Sequence, residues 1–194
     1  MMARPRRPRR LLRRRGLIVT EGTVTEPLYF DRLKQLLPRD VGTIDVVGVG
    51  QDPLSVVRTA LKRRRAARGD EKYDWCCAVV DVDQHQSLSE ATALAASESS
   101  PLVITQPCFE LWLLWHVSDK APTTSSGLQR EIAGANVLSG KALANSYSLT
   151  LDLDAVDRAI AMALRKDPEL RFGRKGPMPS TAMPELIRLI RTGK

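Results

Sequence analysis

The stretch that decides the fold is Trp75-Cys76-Cys77-Ala78-Val79-Val80-Asp81-Val82-Asp83. Its first six residues form an apolar run without polar alternation, which is typical of a strand buried on both faces of a parallel sheet. Two aspartates follow, two positions apart. On an extended backbone Asp81 and Asp83 point the same way, and Val82 points to the other side. The run therefore predicts a central strand that ends in a pair of carboxylates.

Three further apolar or β-prone runs lie on either side of this strand, at residues 17–20, 43–47 and 102–104. Helices are predicted between and after them at about 25–37, 53–65, 87–97 and 108–116. Asp52-Pro53 is a strong helix start, with Asp as N-cap and Pro in the first turn, and Thr25 is the expected N-cap of the first helix. The order β-α-β-α-β-α-β-α predicts an α/β fold with a mostly parallel sheet flanked by helices.

The rest of the chain has weaker patterns. Residues 128–147 are predicted to be weakly helical, and residues 152–164 and 184–191 are predicted helices. Between the last two lies a basic loop that contains glycine, at residues 171–177. Because no long linker interrupts the sequence, we expect one domain at residues 16–194. Its core spans about 16–118, and a mostly helical extension spans 119–194.

The N-terminal residues 1–15 carry a separate charge pattern. They hold eight arginines and no acidic residue, whereas the whole chain has 30 Lys and Arg against 22 Asp and Glu. The remaining 22 basic side chains therefore balance the 22 acidic ones, and the net charge of +8 belongs to this tail. We expect the tail to be disordered in isolation. It is either a phosphate-binding arm or a solubilising leader.

Composition excludes several classes of protein. No apolar run is long enough to span a membrane and no signal peptide is evident, so we expect a cytoplasmic protein without a membrane partner. The three cysteines do not suggest a disulfide framework, and the adjacent Cys76 and Cys77 should face opposite sides of their strand as buried structural residues. The sequence also lacks the phosphate-loop motif of ATPases and the Cys/His spacing of zinc sites.

The carboxylates at strand ends form the main candidate site. Glu21 follows the first strand, and Asp81 and Asp83 follow the third. Because ligands of open parallel sheets bind beyond the carboxyl ends of strands, these residues should share one edge. Carboxylate oxygens suit Mg²⁺ or Mn²⁺, and Gly22 would let a phosphate approach the backbone. The alternatives are that an aspartate caps the next helix and that Glu21 is a surface residue.

Six further side chains are candidates for substrate contact or support of the metal site: Glu26, His85, Glu110, His116, Arg174 and Lys175. Each has a structural alternative. The two glutamates lie in first helical turns, where acids complement the helix dipole. His116 shares a helical face with apolar residues and could be a buried histidine, while the loop residues could simply be solvated.

The basic run Lys62-Arg63-Arg64-Arg65 has a structural explanation of its own. It lies at the C-terminal end of a predicted helix, where cations complement the helix dipole. We therefore assign no nucleic-acid site to it from the sequence.

Several motifs in order resemble the RloB family. They are Leu17-Ile18-Val19-Thr20-Glu21-Gly22-Thr23-Val24-Thr25-Glu26-Pro27-Leu28-Tyr29-Phe30, Gly50-Gln51-Asp52-Pro53-Leu54, Asp81-Val82-Asp83-Gln84-His85, Pro107-Cys108-Phe109-Glu110-Leu111-Trp112-Leu113-Leu114-Trp115-His116 and Pro179-Ser180-Thr181. The resemblance covers about residues 17–190. It implies a Toprim-like core, the fold of primases, topoisomerases and certain nucleases, with Glu21 as the Toprim glutamate and Asp81 and Asp83 as its paired aspartates.

The resemblance also implies a function. RloB-like proteins are associated with bacterial restriction and phage-defence loci, often beside an AAA-type ATPase. We therefore expect an Mg²⁺- or Mn²⁺-dependent nuclease acting on RNA or DNA, with such an ATPase as partner. Val82 and Gln84 depart from the more polar residues expected there, which favours the alternative of a non-catalytic nucleic-acid-binding or signalling subunit. The choice between RNA and DNA, and a homo-oligomeric state, stay open.

Overall fold

The computed structural model describes residues 14–38, 40–82 and 87–193. Strands and helices alternate through the first part of the chain in the predicted order. Their bounds are β1 Arg15–Thr20, α1 Thr25–Leu36, β2 Thr43–Gly48, α2 Pro53–Ala66, β3 Trp75–Asp81, α3 Leu88–Ser97, β4 Leu102–Gln106 and α4 Glu110–Trp115. The α/β class predicted from the apolar runs is confirmed.

Within the described residues the main sheet has five strands, in the order β2-β1-β3-β4-β7, where β7 is Ser180–Thr181. The first four strands are parallel, and β7 pairs antiparallel with the end of β4. This arrangement is Rossmann-like and brings the carboxyl ends of β1 to β4 to one edge. Because β1 and β3 are direct neighbours, the residues that follow them lie side by side there.

Apolar side chains of the sheet alternate between two core clusters, one on each face. Leu17 and Val19 of β1 contribute to the cluster under α2 and α3, whereas Ile18 contributes to the cluster under α1 and α4. Cys76 and Cys77 are split between the two faces in the same way and are both buried. Burial of both faces explains why the strands read as continuous apolar runs.

Helix starts at the carboxyl edge only partly follow the predicted capping. Asp52 caps α2 as expected, because its side chain accepts hydrogen bonds from the backbone N–H groups of Leu54 and Ser55. The prediction that Thr25 caps α1 is wrong. Val24 is the N-cap residue, and no side chain caps this helix. The Thr25 hydroxyl instead donates a hydrogen bond to the carbonyl oxygen of Lys141 at 2.8 Å.

The second part of the chain is mostly helical, as predicted, but contains a β-hairpin. Its elements are α5 Ser125–Gly134, β5 Leu138–Ser139, β6 Ala142–Leu143, α6 Asn145–Thr150, α7 Leu153–Lys166 and α8 Met183–Thr192. Residues 128–147 are therefore not one weak helix, since β5 and β6 pair antiparallel across the Gly140-Lys141 turn. Helices α7 and α8 join the same core cluster as α1 and α4.

No helix in the described part of the chain is both long enough and apolar enough to span a membrane.

Candidate active site at the carboxyl edge of the sheet

A cleft of about 510 Å³ lies at the carboxyl edge of the parallel strands. Short segments that follow β1, β2, β3 and β4 line it, as expected for a ligand site in an open α/β sheet. Five carboxylates and one ammonium group belong to its lining residues: Glu21, Glu26, Asp52, Asp81, Glu110 and Lys141. Within the described lining, acidic side chains outnumber basic ones by four, so this part of the cleft wall is strongly anionic.

Glu21 and Asp81 meet at the centre of this edge. Glu21 directly follows β1 and Asp81 ends β3, the neighbouring strand. The Glu21 backbone N–H donates to the carbonyl oxygen of Val79 at 3.1 Å, which extends the pairing between the two strands. The Asp81 backbone N–H donates in turn to Glu21 Oε2 at 3.3 Å. The structure thus brings together two of the three carboxylates of the predicted metal site.

Glu26, at the start of α1, is the buried carboxylate of the cleft, with 7% of its surface exposed. Its Oε1 accepts a hydrogen bond from the Gly22 backbone N–H at 2.7 Å. Burial raises the pKa of Glu26, the hydrogen bonds from its own backbone and from Gly22 oppose that rise, and the charge of Glu110 adds to it. Glu26 is therefore a cleft carboxyl group that retains a proton to higher pH than an exposed glutamate does.

Two glycines let the loops at this edge pack closely. A Cβ atom at Gly22 would lie 2.0 Å from Glu26 Oε2, so a side chain at position 22 would displace that carboxylate. A Cβ atom at Gly48 would lie 2.6 Å from the Gly22 carbonyl oxygen. The Glu21 carbonyl oxygen accepts a hydrogen bond from the Gly50 backbone N–H at 2.8 Å. These contacts fix the backbone that carries Glu21.

Glu110 and Asp81 both lie near the Cys108 thiol. Burial is the main reason that the pKa of Cys108 is raised, and the negative charges of Glu110 and Asp81 raise it further. The thiol therefore stays protonated and is unsuited to act as a nucleophile or metal ligand. Glu110 lies in the first turn of α4, as predicted, although the helix begins at Glu110 and not at Cys108. It adds a carboxylate from the segment that follows β4.

Sequence reasoning gave no site role to two residues that line the cleft. The sequence pattern predicts Asp52 only as a helix cap, although it lies in the short loop that follows β2 at the same edge as Glu21. Its pKa is lowered, first by the hydrogen bond from the Ser55 hydroxyl at 2.6 Å. Lys141 lies at the tip of the β5–β6 hairpin. The dipeptide Ser139-Gly140 is a turn signal that could have predicted this hairpin.

The donor set at the centre of the cleft fits a hard divalent cation. Mg²⁺ is usually bound through one or two carboxylates and keeps several of its waters, and Glu21 and Asp81 supply two adjacent carboxylates. Among residues 14–38, 40–82 and 87–193, no group of three or more His, Cys, Asp or Glu side chains is arranged to hold a metal. Asp83, the third predicted ligand, lies outside the described residues, as does His85.

His116, Arg174 and Lys175 are candidates that the structure describes but does not place in this cleft. His116 is fully buried, its Nδ1 lies 2.8 Å from the Trp112 carbonyl oxygen, and burial lowers its pKa to about 4. This placement favours the buried structural role that was the alternative for His116. Arg174 forms ion pairs with the buried Asp167 and with Glu169, which likewise favours a structural role. Lys175 is an exposed residue of the same loop and is absent from the cleft lining.

Comparison of the chain with models of known protein families gives a match over most of its length. The family model described as RloB-like protein matches residues 16–190, which include every described carboxylate of the cleft. No curated protein matches the chain.

Proposed function

The chain belongs to the RloB-like protein family, and on that basis we propose that it is an Mg²⁺- or Mn²⁺-dependent nuclease that hydrolyses phosphodiester bonds of RNA or DNA. We further propose that it acts in the bacterial cytoplasm as part of an anti-phage defence system, with an AAA-type ATPase as partner. The Toprim-like core expected from the resemblance supplies the template for these roles.

The observation that carries the proposal is the excess of carboxylates around the cleft. Among the residues that the structure describes, five acidic side chains and one lysine line it. A phosphodiester is itself an anion and would be repelled by such a surface. A divalent cation held by Glu21 and Asp81 would neutralise these two carboxylates and offer a positive centre to which a phosphate oxygen can bind. A nucleotide substrate and a metal ion are therefore the pair of ligands that this site suits.

The roles of individual residues follow from their positions. Asp81 would hold the metal, with Asp83 as the further ligand implied by the resemblance, and Glu21 would act as ligand or general acid/base. When bound, the metal would activate a water and stabilise charge on the phosphate. Glu26 keeps its carboxyl group beside Gly22 and, because its pKa is raised, can hold a proton at the wall of the cleft. Glu110 would support the metal site as a further carboxylate of the lining.

Cleavage assays with matched variants test this proposal. Labelled RNA and DNA would be incubated with the protein and Mg²⁺, with and without the ATPase encoded beside it. Asp81→Asn should lower the cleavage rate by at least about 100-fold, as expected when a charge-stabilising group is removed. Asp119→Asn is the control, because this aspartate is 92% exposed and lies outside the cleft. Cleavage that is unaffected by Asp81→Asn would contradict the mechanism.

A second candidate is a non-catalytic nucleic-acid-binding or signalling subunit. The observation in its favour is Val82, an apolar residue where the resemblance leads us to expect a polar one. Val82 packs against the core cluster under α2 and α3 and so offers no group to the cleft. Gln84, the other departure, lies outside the described residues. This candidate predicts metal binding without hydrolysis of nucleic acid, and it predicts that Glu21→Ala leaves protection against phage intact.

A further inference from the structure

Helix α2 carries the densest positive charge of the folded body. Residues 53–68 contain six basic side chains and no acidic one. The basic residues are Arg58, Lys62, Arg63, Arg64, Arg65 and Arg68. Outside the N-terminal tail, the basic and acidic side chains of the chain are equal in number, so this helix is a local concentration of charge rather than a reflection of the composition.

The opposite face of α2 fixes the helix firmly to the sheet. Val56, Val57, Ala60 and Leu61 are buried in the core cluster shared with β1 and β3. The apolar face therefore sets the direction in which the basic side chains project. Arg58, Lys62, Arg63 and Arg65 are all exposed on the outer side of the helix.

Only part of this charge is neutralised. Arg64 and Arg65 share Glu98, with N–O distances of 3.5 and 2.6 Å. The side chains of Arg58 and Lys62 make no hydrogen bond or ion pair with any other residue in the described part of the chain. The helix dipole accounts for cations in the last turn of a helix only. It gives no stabilisation to Arg58, which lies in the second turn of α2.

Arg58 and Lys62 line a groove together with the ion-paired Arg65 and Glu98. The three basic side chains lie on one wall of this depression of about 380 Å³ between α2 and α3, and Leu61 and Leu94 also line it. At a rise of about 1.5 Å per residue, their Cα atoms are separated along the helix by about 6 Å and about 4.5 Å. This regular row of cations suits a regular row of phosphates, such as the backbone of one nucleic-acid strand.

Helix α2 connects the groove with the cleft, because its N-cap lies at the cleft and its outer face lines the groove. Asp52, the N-cap of α2, lines the cleft, and Arg58 follows six residues later, about 9 Å further along the helix. A strand with one phosphate in the cleft could therefore continue along α2. We propose that the Arg58–Lys62–Arg65 face of α2 binds the phosphate backbone of the nucleic acid whose cleavage is proposed above, and the inference rests on that proposed function.

Salt-dependent binding of matched variants tests this surface. The full chain would be titrated with a fluorescent single-stranded RNA and a duplex DNA in EDTA, so that no metal-dependent cleavage occurs. Arg58→Gln/Lys62→Gln removes two contacts and should reduce the slope of log Kd against log salt by about 1.4 for the single strand and about 1.8 for the duplex. The control, Arg171→Gln/Lys175→Gln, removes the same charge from an exposed loop outside the groove and should leave the slope near that of the wild type.

The opposite results would overturn the inference. A wild-type slope in the α2 variant would show that this face makes no phosphate contact. Equal reductions in both variants would show a diffuse attraction that depends on net charge alone. Because binding in EDTA does not require turnover, a protein that binds through α2 but cleaves nothing would contradict only the proposed nuclease activity. Circular dichroism and thermal unfolding would verify that both variants keep their fold.

Discussion

The acidic cleft and an aromatic cluster in the core take residues from the same two helices. The cleft gathers charged side chains, whereas the cluster keeps its polar side chains neutral. We use the name aromatic cluster for Tyr29, Trp112, His116 and Tyr147. Helix α1 places Glu26 in the cleft and Tyr29 in the cluster, and α4 begins with Glu110 and is followed at its end by His116. Each helix therefore contributes at its start to the candidate site and further along to the packed interior.

Hydrogen bonds inside the buried core engage the histidine and the two tyrosine hydroxyls of the aromatic cluster. The Tyr29 hydroxyl lies 3.3 Å from His116 Nε2, and the Tyr147 hydroxyl donates to the Leu113 carbonyl oxygen at 3.1 Å. Burial disfavours charge there, so the His116 pKa is lowered and the Tyr29 pKa is raised. The cleft instead gathers carboxylates that no set of described cations balances. The difference indicates that changes in the cluster should affect stability, whereas changes in the cleft should affect metal-dependent chemistry.

The largest effect on stability is expected from protonation of His116. Its pKa falls from 6.5 to about 4 on folding, so the folded state favours neutral imidazole. This stabilisation is complete above pH 6.5 and is lost as the pH falls towards 4. Between about pH 7.5 and about pH 5 the wild type should lose about 2 kcal/mol of unfolding free energy more than His116→Gln, which does not titrate. Urea denaturation at several pH values would measure the difference.

The same variant also allows the effect on stability to be compared with the effect on cleavage in the cleft. His116→Gln should leave metal-dependent cleavage at neutral pH unchanged once the protein is folded, because His116 lies outside the cleft lining. If the unfolding free energy changed equally with pH in the wild type and in the variant, His116 would not be buried in its neutral form. That result would contradict the proposed difference between the cluster and the cleft.

A smaller effect on stability is expected from Gly22→Ala, at the boundary of the cleft. The new Cβ atom would meet the Glu26 carboxylate and break its hydrogen bond with the Gly22 N–H. Loss of one such hydrogen bond costs about 0.5–1.5 kcal/mol of stability. Metal-dependent cleavage should fall by much more than this cost explains, because the backbone of Glu21 moves with position 22. Thermal unfolding and cleavage would be measured on the same preparation.

Gly134→Ala is the matched control for this substitution. Gly134 ends α5, and a Cβ atom there would meet no atom within 4 Å. The variant should gain about 0.4–1 kcal/mol through the reduced entropy of the unfolded chain and should keep its activity. If Gly22→Ala behaved in the same way as this control, the close packing between Gly22 and Glu26 would have no role in the site.

The parallel strands could be predicted because strands buried on both faces have continuous apolar sequences. Residues 75–80 are apolar at every position, since both faces of β3 are covered by helices. Strand β7 gives no such signal. It has two residues, and pairing with the distant end of β4 holds it in place, including a contact of 2.8 Å between the hydroxyls of Thr105 and Thr181. Local patterns do not report pairing over so long a separation.

The candidate site could be predicted to the extent that it depends on strand ends. Glu21 and Asp81 follow two apolar strands, and the topology of a parallel sheet brings them together. Lys141 reaches the cleft for a different reason, because its carbonyl oxygen accepts a hydrogen bond from Thr25, which is 116 residues earlier in the chain. The same contact explains why the capping prediction for Thr25 was wrong, since the hydroxyl was already engaged.

Mn²⁺ binding to the cleft is the most direct test of the central claim, that Glu21 and Asp81 together hold a divalent cation. Calorimetric titration would compare the wild type with Glu21→Gln/Asp81→Asn and with the control Asp119→Asn/Asp154→Asn, which removes the same charge outside the cleft. We predict that the wild type and the control bind Mn²⁺ with the same affinity and that the cleft variant loses this binding. Equal Mn²⁺ affinity in all three proteins would contradict the account.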